Sequence, residues 1–255
     1  MSVYGIYLNA AGSLASETRI DVLANNLANV DTPGFKRGFA VFQERPTEAY
    51  EPPRYDPAPK RVLDELGGGL FVHEVTFDDT IGMVQQTGNT LDLALQGDGW
   101  FTVQVGDEQL YTRAGNFAMS PDRFLITADG RGQVLDTSGN PIQLPDQEVT
   151  VAGDGQISAG GDPIARLWVQ GSVDHEHYEP VGDNVFRFFG EGTPQPSDAR
   201  VLQGSLERST VQPVQEMVAM IRTFRAYESN QRMITQQDQA LGRAVNDVGR
   251  VGGSS

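Results

Sequence analysis

Between Val211 and Val248 apolar residues recur three and four positions apart, and no other feature restricts the fold so strongly. Val211, Val214, Val218 and Ile221 lead into Phe224, Tyr227, Gln231, Ile234, Asp238, Leu241, Val245 and Val248. The spacing predicts a long helix within residues 206–250, with a stripe as narrow as a coiled-coil seam. Three successive steps of three, from 218 to 221 to 224 to 227, interrupt the heptad once, as a stammer does. Gln231 and Asp238 at seam positions weaken a simple two-stranded coil and suggest a polar-lined assembly. A solitary helix with so narrow an apolar face is marginal in water, so this one requires company.

A second helix is expected at the other end, over residues 1–32. Ile20, Leu23, Leu27 and Val30 recur at the same spacings, with Asp21, Asn25 and Asn29 between them. Pro33 and Gly34 end it, because proline disfavours helix at the residue before it and carries no amide hydrogen. Asp31-Thr32-Pro33-Gly34 suits a tight turn closed by side chains. Beyond it, Phe35, Phe39 and Phe42 offer apolar anchors, and Lys36 and Arg37 offer charge to a neighbour.

The amides before that turn raise a question of their own. Apolar seams between helices tolerate sliding, whereas a buried amide left unpaired costs about 1–3 kcal/mol. Asn25, Asn26 and Asn29 are therefore expected to fix helix register, as asparagine does at a coiled-coil core position. The competing reading is a solvated or frayed helix end.

Two striped helices at opposite ends must pair with each other, with other copies, or both. The plainest version is a two-helix hairpin packed on its own β domain. Residues 33–84 read as an extended connection: Pro46, Pro52, Pro53, Pro57 and Pro59 stiffen it, Gly67–Gly69 loosen it, and LFVHEVTF (70–77) alternates like a strand. Residues 85–205 are β-rich. WFTVQV, FLITA and ARLWVQG are separated by Asp98-Gly99, Asp129-Gly130, Ser138-Gly139-Asn140 and Asp154-Gly155, which supply the positive φ of tight turns. The expected class is α+β, with terminal helices forming a coiled-coil domain around an all-β middle.

Charge and composition narrow the function. Thirty-four acidic residues against 19 basic ones give a formal charge of −15, which disfavours nucleic acid and anionic membrane surfaces. The absence of cysteine excludes disulfides, thiolate metal sites and thiol nucleophiles. No window reaches the ~18 apolar residues of a membrane span, and the N-terminus has no basic-then-apolar leader.

Four segments now carry a resemblance: ANNLANVDTPGFKR (24–37), TGNTLDLALQGDGWFTVQ (87–104), YTRAGNF (111–117) and the run from LQGSLERSTVQPVQEMVAM to QQDQAL (202–241). In that order they resemble the flagellar axial proteins, and among them the rod subunits. VQPVQEMVAMI and LGRAVNDV are similar to the proximal-rod branch, while GFKRGFAVF and RAYESN are also similar to the distal-rod branch. The resemblance implies a basal-body rod subunit that is not an enzyme and binds no cofactor. Its implied partners are copies of itself, other rod subunits and the flagellar type III export apparatus, with no nucleic acid and no membrane insertion. It further implies a periplasmic location reached without a cleaved signal, and helices that order only on assembly. The residues placed at its assembly interface are Ile20, Leu23, Asn25, Asn26, Leu27, Asn29, Pro33, Gly34, Phe35, Val214, Val218, Ile221, Phe224, Tyr227, Gln231, Ile234, Leu241 and Val245.

Other chemistries find less support. Asp174-His175-Glu176-His177 looks like a metal tract but has no further ligand cluster at recognisable spacing. The many aspartates of the middle region adjoin glycine or proline, as turns demand, rather than forming a glycosidase pair. A sugar-binding module would use exposed Trp100, Trp168 and Tyr178, although such rings are more often buried.

Overall fold

A computed structural model describes residues 3–44, 70–78, 80–171, 178–182, 184–190 and 195–251, with backbone alone at 3, 4, 44, 70–73 and 244–251. The proline-rich stretch, the triple glycine, the His175–His177 tract and the C-terminal Gly-Gly-Ser-Ser lie outside the described residues. The chain forms two units: residues 1–27, 38–76 and 213–255 make a helical unit, and residues 28–37 with 77–212 make a β unit. The class is α+β.

In the helical unit α1 runs from Val3 to Ala28 and α2 from Pro213 to Val251. Proline opens α2 at a position whose amide would be unpaired anyway, and Glu216 places a negative charge in the first turn, where the helix dipole favours it. The helices run antiparallel. A Cβ added at Gly5 would lie 2.8 Å from the Gln237 amide nitrogen, and one at Gly12 would lie 2.9 Å from that of Asn230. Nearer the other end, Asn26 meets Glu216. Each step of seven or fourteen residues up α1 is matched by the same step down α2.

The covered face of α2 follows from this. Its less exposed positions include Glu216, Met220, Thr223, Tyr227, Asn230, Ile234, Gln237 and Leu241, a row spaced four and three, with Pro213, Ala219 and Ala240 beside it. The stammer expected at 218–227 is absent from that row, because Val218, Ile221 and Phe224 point elsewhere. Val214, Val218, Ile221 and Phe224 are 42–70% exposed. β1 (Gly38–Glu44) and β2 (Leu70–Phe77) form a two-stranded sheet.

The β unit holds β3 (Val84–Gln86), β4 (Leu93–Gln96), β5 (Trp100–Val105), β6 (Glu108–Thr112), β7 (Phe117–Met119), β8 (Leu125–Thr127) and β9 (Gly132–Val134). It continues through β10 (Val149–Val151), β11 (Gln156–Ala159), β12 (Asp162–Arg166) and β13 (Val169–Gln170) to β14 (Tyr178–Gly182), β15 (Val185–Phe188), β16 (Arg200–Gln203) and β17 (Ser205–Glu207). The main sheet has the order β14-β15-β6-β5-β9-β8-β7, with β13 also paired to β5. Beside it lie the meander β10-β11-β12 and the ribbons β16-β4 and β17-β3. The run ARLWVQG is thus split between two strands.

β5 shows why both faces of the sheet are covered. Phe101 and Val103 join Leu95, Leu135's neighbour Val134, Ile157 and Val201 in the main core. Trp100 points the other way, stacking on Tyr178 with centroids 5.5 Å apart and touching Phe186 and Phe77. Alternation along one strand builds two clusters.

Candidate functional site

Three charged side chains from distant parts of the chain meet inside the β unit. Glu207, at the end of β17, is 2% exposed; Lys36 and Arg113 are 5% and 3% exposed. Lys36 Nζ lies 2.9 Å from Glu207 Oε1, and Arg113 Nε lies 2.5 Å from Oε2. The Gly82 N–H donates to Oε1 at 2.8 Å. Lys36 also donates to the Thr80 carbonyl at 2.6 Å. The outer nitrogens of Arg113 donate to the carbonyls of Gly99, of Gly97 at 2.6 Å and of Leu95 at 3.1 Å.

Two cations therefore share one carboxylate, and carbonyl dipoles take up further donors. Burying three charges costs several kcal/mol per ion, which good geometry must offset. The cluster is closed to solvent, so it can position chain segments but cannot meet a substrate.

The segments it positions are those of the resemblance. Lys36 comes from GFKR, Arg113 from YTRAGNF, Glu207 from LQGSLER, and the carbonyls from LALQGDGW. Residues 34–37 run beside 207–210: the Gly34 N–H donates to the Glu207 carbonyl at 2.8 Å, the Thr210 N–H to that of Phe35 at 3.1 Å, and the Arg37 N–H to Thr210 Oγ1 at 2.9 Å. Gly34 has φ of +67°, and a Cβ there would lie 2.4 Å from the Arg113 carbonyl carbon. Only glycine fits that place. Gly115 is equally hemmed in, since its Cβ would fall 1.6 Å from the Leu93 carbonyl oxygen.

The Asn-rich helix end divides its labour. Asn26 is 1% exposed. Its amide accepts the Gly38 N–H at 2.8 Å and donates to the Gly38 carbonyl at 2.8 Å and to Glu216 Oε2 at 3.2 Å. Every polar atom of that side chain is thus engaged in tying α1 to β1 and to α2. Asn29 closes the turn instead, accepting Thr32 Oγ1 at 3.1 Å. Asn25 lies on the exposed side.

Of the other residues expected at an interface, Leu23 and Gly34 are buried, while Ile20, Leu27, Pro33, Phe35, Tyr227, Ile234 and Leu241 are half-buried. Gln231 is exposed with the Val214–Phe224 group, and the Val245 side chain is not among those described. Lys36 does not offer its charge to a neighbour: Glu207 and the Thr80 carbonyl hold it inside its own unit. Glu207, Arg113 and Glu216 each lie within a quoted motif, Arg113 and Glu216 as lone charges and Glu207 beside Arg208, and nothing local marks them as buried.

The sugar-binding reading fails on burial, since Trp100 and Tyr178 are 3% and 4% exposed. Burial pushes the Tyr178 hydroxyl up, with Tyr111 adding to the shift, and burial raises Tyr111 as well. Asp129 and Asp154 accept the N–H of the residue two places on, which is turn chemistry. Among the described residues no group of three histidine, aspartate or glutamate side chains could hold a metal ion, and no helix is long and apolar enough to cross a membrane.

Comparison with known proteins adds three family matches. Residues 10–36 match the flagella basal body rod protein family, residues 94–159 the flagellar hook protein FlgE/F/G D1 domain, and residues 202–247 the flagellar basal body rod FlgEFG protein C-terminal family. The chain is 32% identical to the flagellar basal-body rod protein FlgF of Caulobacter vibrioides over 251 residues, covering 96% of this chain and 98% of that one. It is 33% identical to the flagellar basal-body rod protein FlgG of Agrobacterium fabrum, covering 90% and 94%. With FlgF of Salmonella typhimurium it shares 31% identity, covering 94% and 96%.

Proposed function

The chain belongs to the flagellar basal-body rod protein family, and we propose that it is a structural subunit of the proximal rod. It polymerises through its terminal helices and transmits torque without catalysis. The observation that carries this reading is the end-to-end likeness to rod proteins, which takes in both helices as well as the β unit.

For assembly, residues 1–32 and 206–250 are proposed as the coiled-coil domain, residues 33–84 as the connection and residues 85–205 as the β domain, bounds that differ from the two units of the fold. The four-three row from Glu216 to Leu241 among the less exposed positions of α2 supports the coiled-coil geometry. The exposed row Val214, Val218, Ile221 and Phe224 supplies an apolar face for a neighbouring subunit. The rod lies in the periplasm, and the subunit reaches it through the flagellar export apparatus without losing a leader. VQPVQEMVAMI and LGRAVNDV favour the proximal position; the distal-rod protein is the alternative, to which FlgG relatives of similar identity point.

Electron-microscopy reconstruction of basal bodies with and without the gene tests the assignment. Density missing at the rod base identifies a proximal subunit, and density missing next to the hook a distal one. Basal bodies intact but for this chain would overturn the rod reading.

A further inference from the structure

The helical unit carries two unlike surfaces. One is a ridge on α2, where Val214, Met217, Val218, Ile221 and Phe224 are each 42–70% exposed. The other is a groove of about 430 Å³ between the helices, walled by Phe42 and lined by Gly12, Ala15, Ser16, Ala219, Thr223 and Ala226. Small side chains leave room there for bulky ones and let a foreign helix come close.

We propose that these surfaces fit each other on neighbouring copies: the α2 ridge of one chain seats in the α1/α2 groove of the next. The inference rests on the self-assembly reading above and names its contact. At 3.6 residues per turn the ridge faces roughly half a turn away from the groove-lining residues of α2. No copy can therefore fill its own groove, and each copy that donates a ridge still has a groove to offer.

Charge points to the same occupant. Arg19 and Arg222 line the groove, and among the described residues no carboxylate does. The ridge continues, one helical turn past Phe224, to Glu228, which is exposed and held by Arg232 at 3.5 Å in a solvent-screened pair. Such a carboxylate is available to the groove arginines of the next copy. Bulk meets space and acid meets base, with both halves on one chain. A contact between two different patches is heterologous, so it propagates from copy to copy into a ring or an open row instead of closing as a two-fold dimer.

The absence of cysteine makes the test clean. Cells carry a tagged chain with Ile221→Cys and Ala15→Cys in place of the native one, and isolated basal bodies are oxidised and run without reductant. A ladder of tagged multimers from the double variant, with none from either single variant, is expected. Dimers from Ile221→Cys alone would mean that ridges meet ridges, and a monomeric double variant present in basal bodies would mean that the contact lies elsewhere. Either overturns the proposal while leaving the subunit reading intact. Absence of the tagged, cysteine-free chain from basal bodies would instead sink the subunit reading. The pair Val218→Cys and Ser16→Cys, checked for helix content, guards against a substitution that disturbs the helices.

Discussion

The two units solve the burial of polar groups in opposite ways. In the β unit, Glu207 is enclosed by two cations and a backbone amide, and two internal apolar clusters form, although Met83 and Phe189 remain exposed. In the helical unit, one face of α2 is spent on α1 through small and amide side chains, and much of its apolar surface remains in solvent. The first closes its central charges within one chain. If the second is completed by a neighbouring copy, as proposed above, stability and assembly are separable by mutation.

The strongest attempt to break this contrast is Glu207→Ala. It leaves Lys36 and Arg113 buried without their carboxylate and is expected to cost about 3–5 kcal/mol. Both tryptophans, Trp100 and Trp168, lie in the β unit, so denaturant unfolding followed by their fluorescence reads that unit. A loss under about 1 kcal/mol would show that the triad is replaceable.

Asn26→Ala comes next. Removing the amide leaves the Gly38 groups without their partner and takes one hydrogen bond from Glu216, and is expected to cost the helical unit about 1–3 kcal/mol. Circular dichroism at the helix band should show the loss while the tryptophan transition stays in place. A shift in both would mean that the units unfold as one.

Ile221→Ser sharpens the contrast from the other side. An exposed position is expected to change the stability of the free chain by no more than about 0.5 kcal/mol. Recovery of the chain in basal bodies should nevertheless fall. Unchanged recovery would remove the ridge from assembly.

The smallest effect is spectroscopic. Tyr111 and Tyr178 are pushed up by burial, so the folded β unit favours their neutral forms. That contribution is fully present below the ordinary tyrosine value of about 10 and is lost as pH rises through the raised folded values. Phenolate absorbance should therefore show these two ionising after exposed tyrosines, and Tyr178→Phe should remove one of the late steps.

Periodicity made the helices legible and turn dipeptides made the β unit legible, because both are local. The turn at Pro33-Gly34 followed from proline and glycine chemistry, but α1, expected over residues 1–32, ends at Ala28, because Asn29 and Thr32 already bond within the turn. The face of α2 was harder. An apolar stripe containing Phe224 and Ile221 is the natural seam by hydropathy, yet the side facing α1 is built from Thr223, Asn230 and Gln237, where glycines opposite allow close approach. Hydropathy marks what wants to leave water, but not which partner will take it away. The triad was invisible for a different reason: nothing local distinguishes Lys36 in GFKR from a solvated lysine, and its burial depends on residues brought together by the fold.

That separation along the chain has a consequence in time. Glu207 lies 171 positions after Lys36 and 94 after Arg113. A polypeptide delivered N-terminus first presents both cations long before the carboxylate that neutralises them. Until residue 207 arrives the β unit lacks its central lock, and contacts this distant form late. The three charges can therefore meet only once the last strand, β17, is in hand.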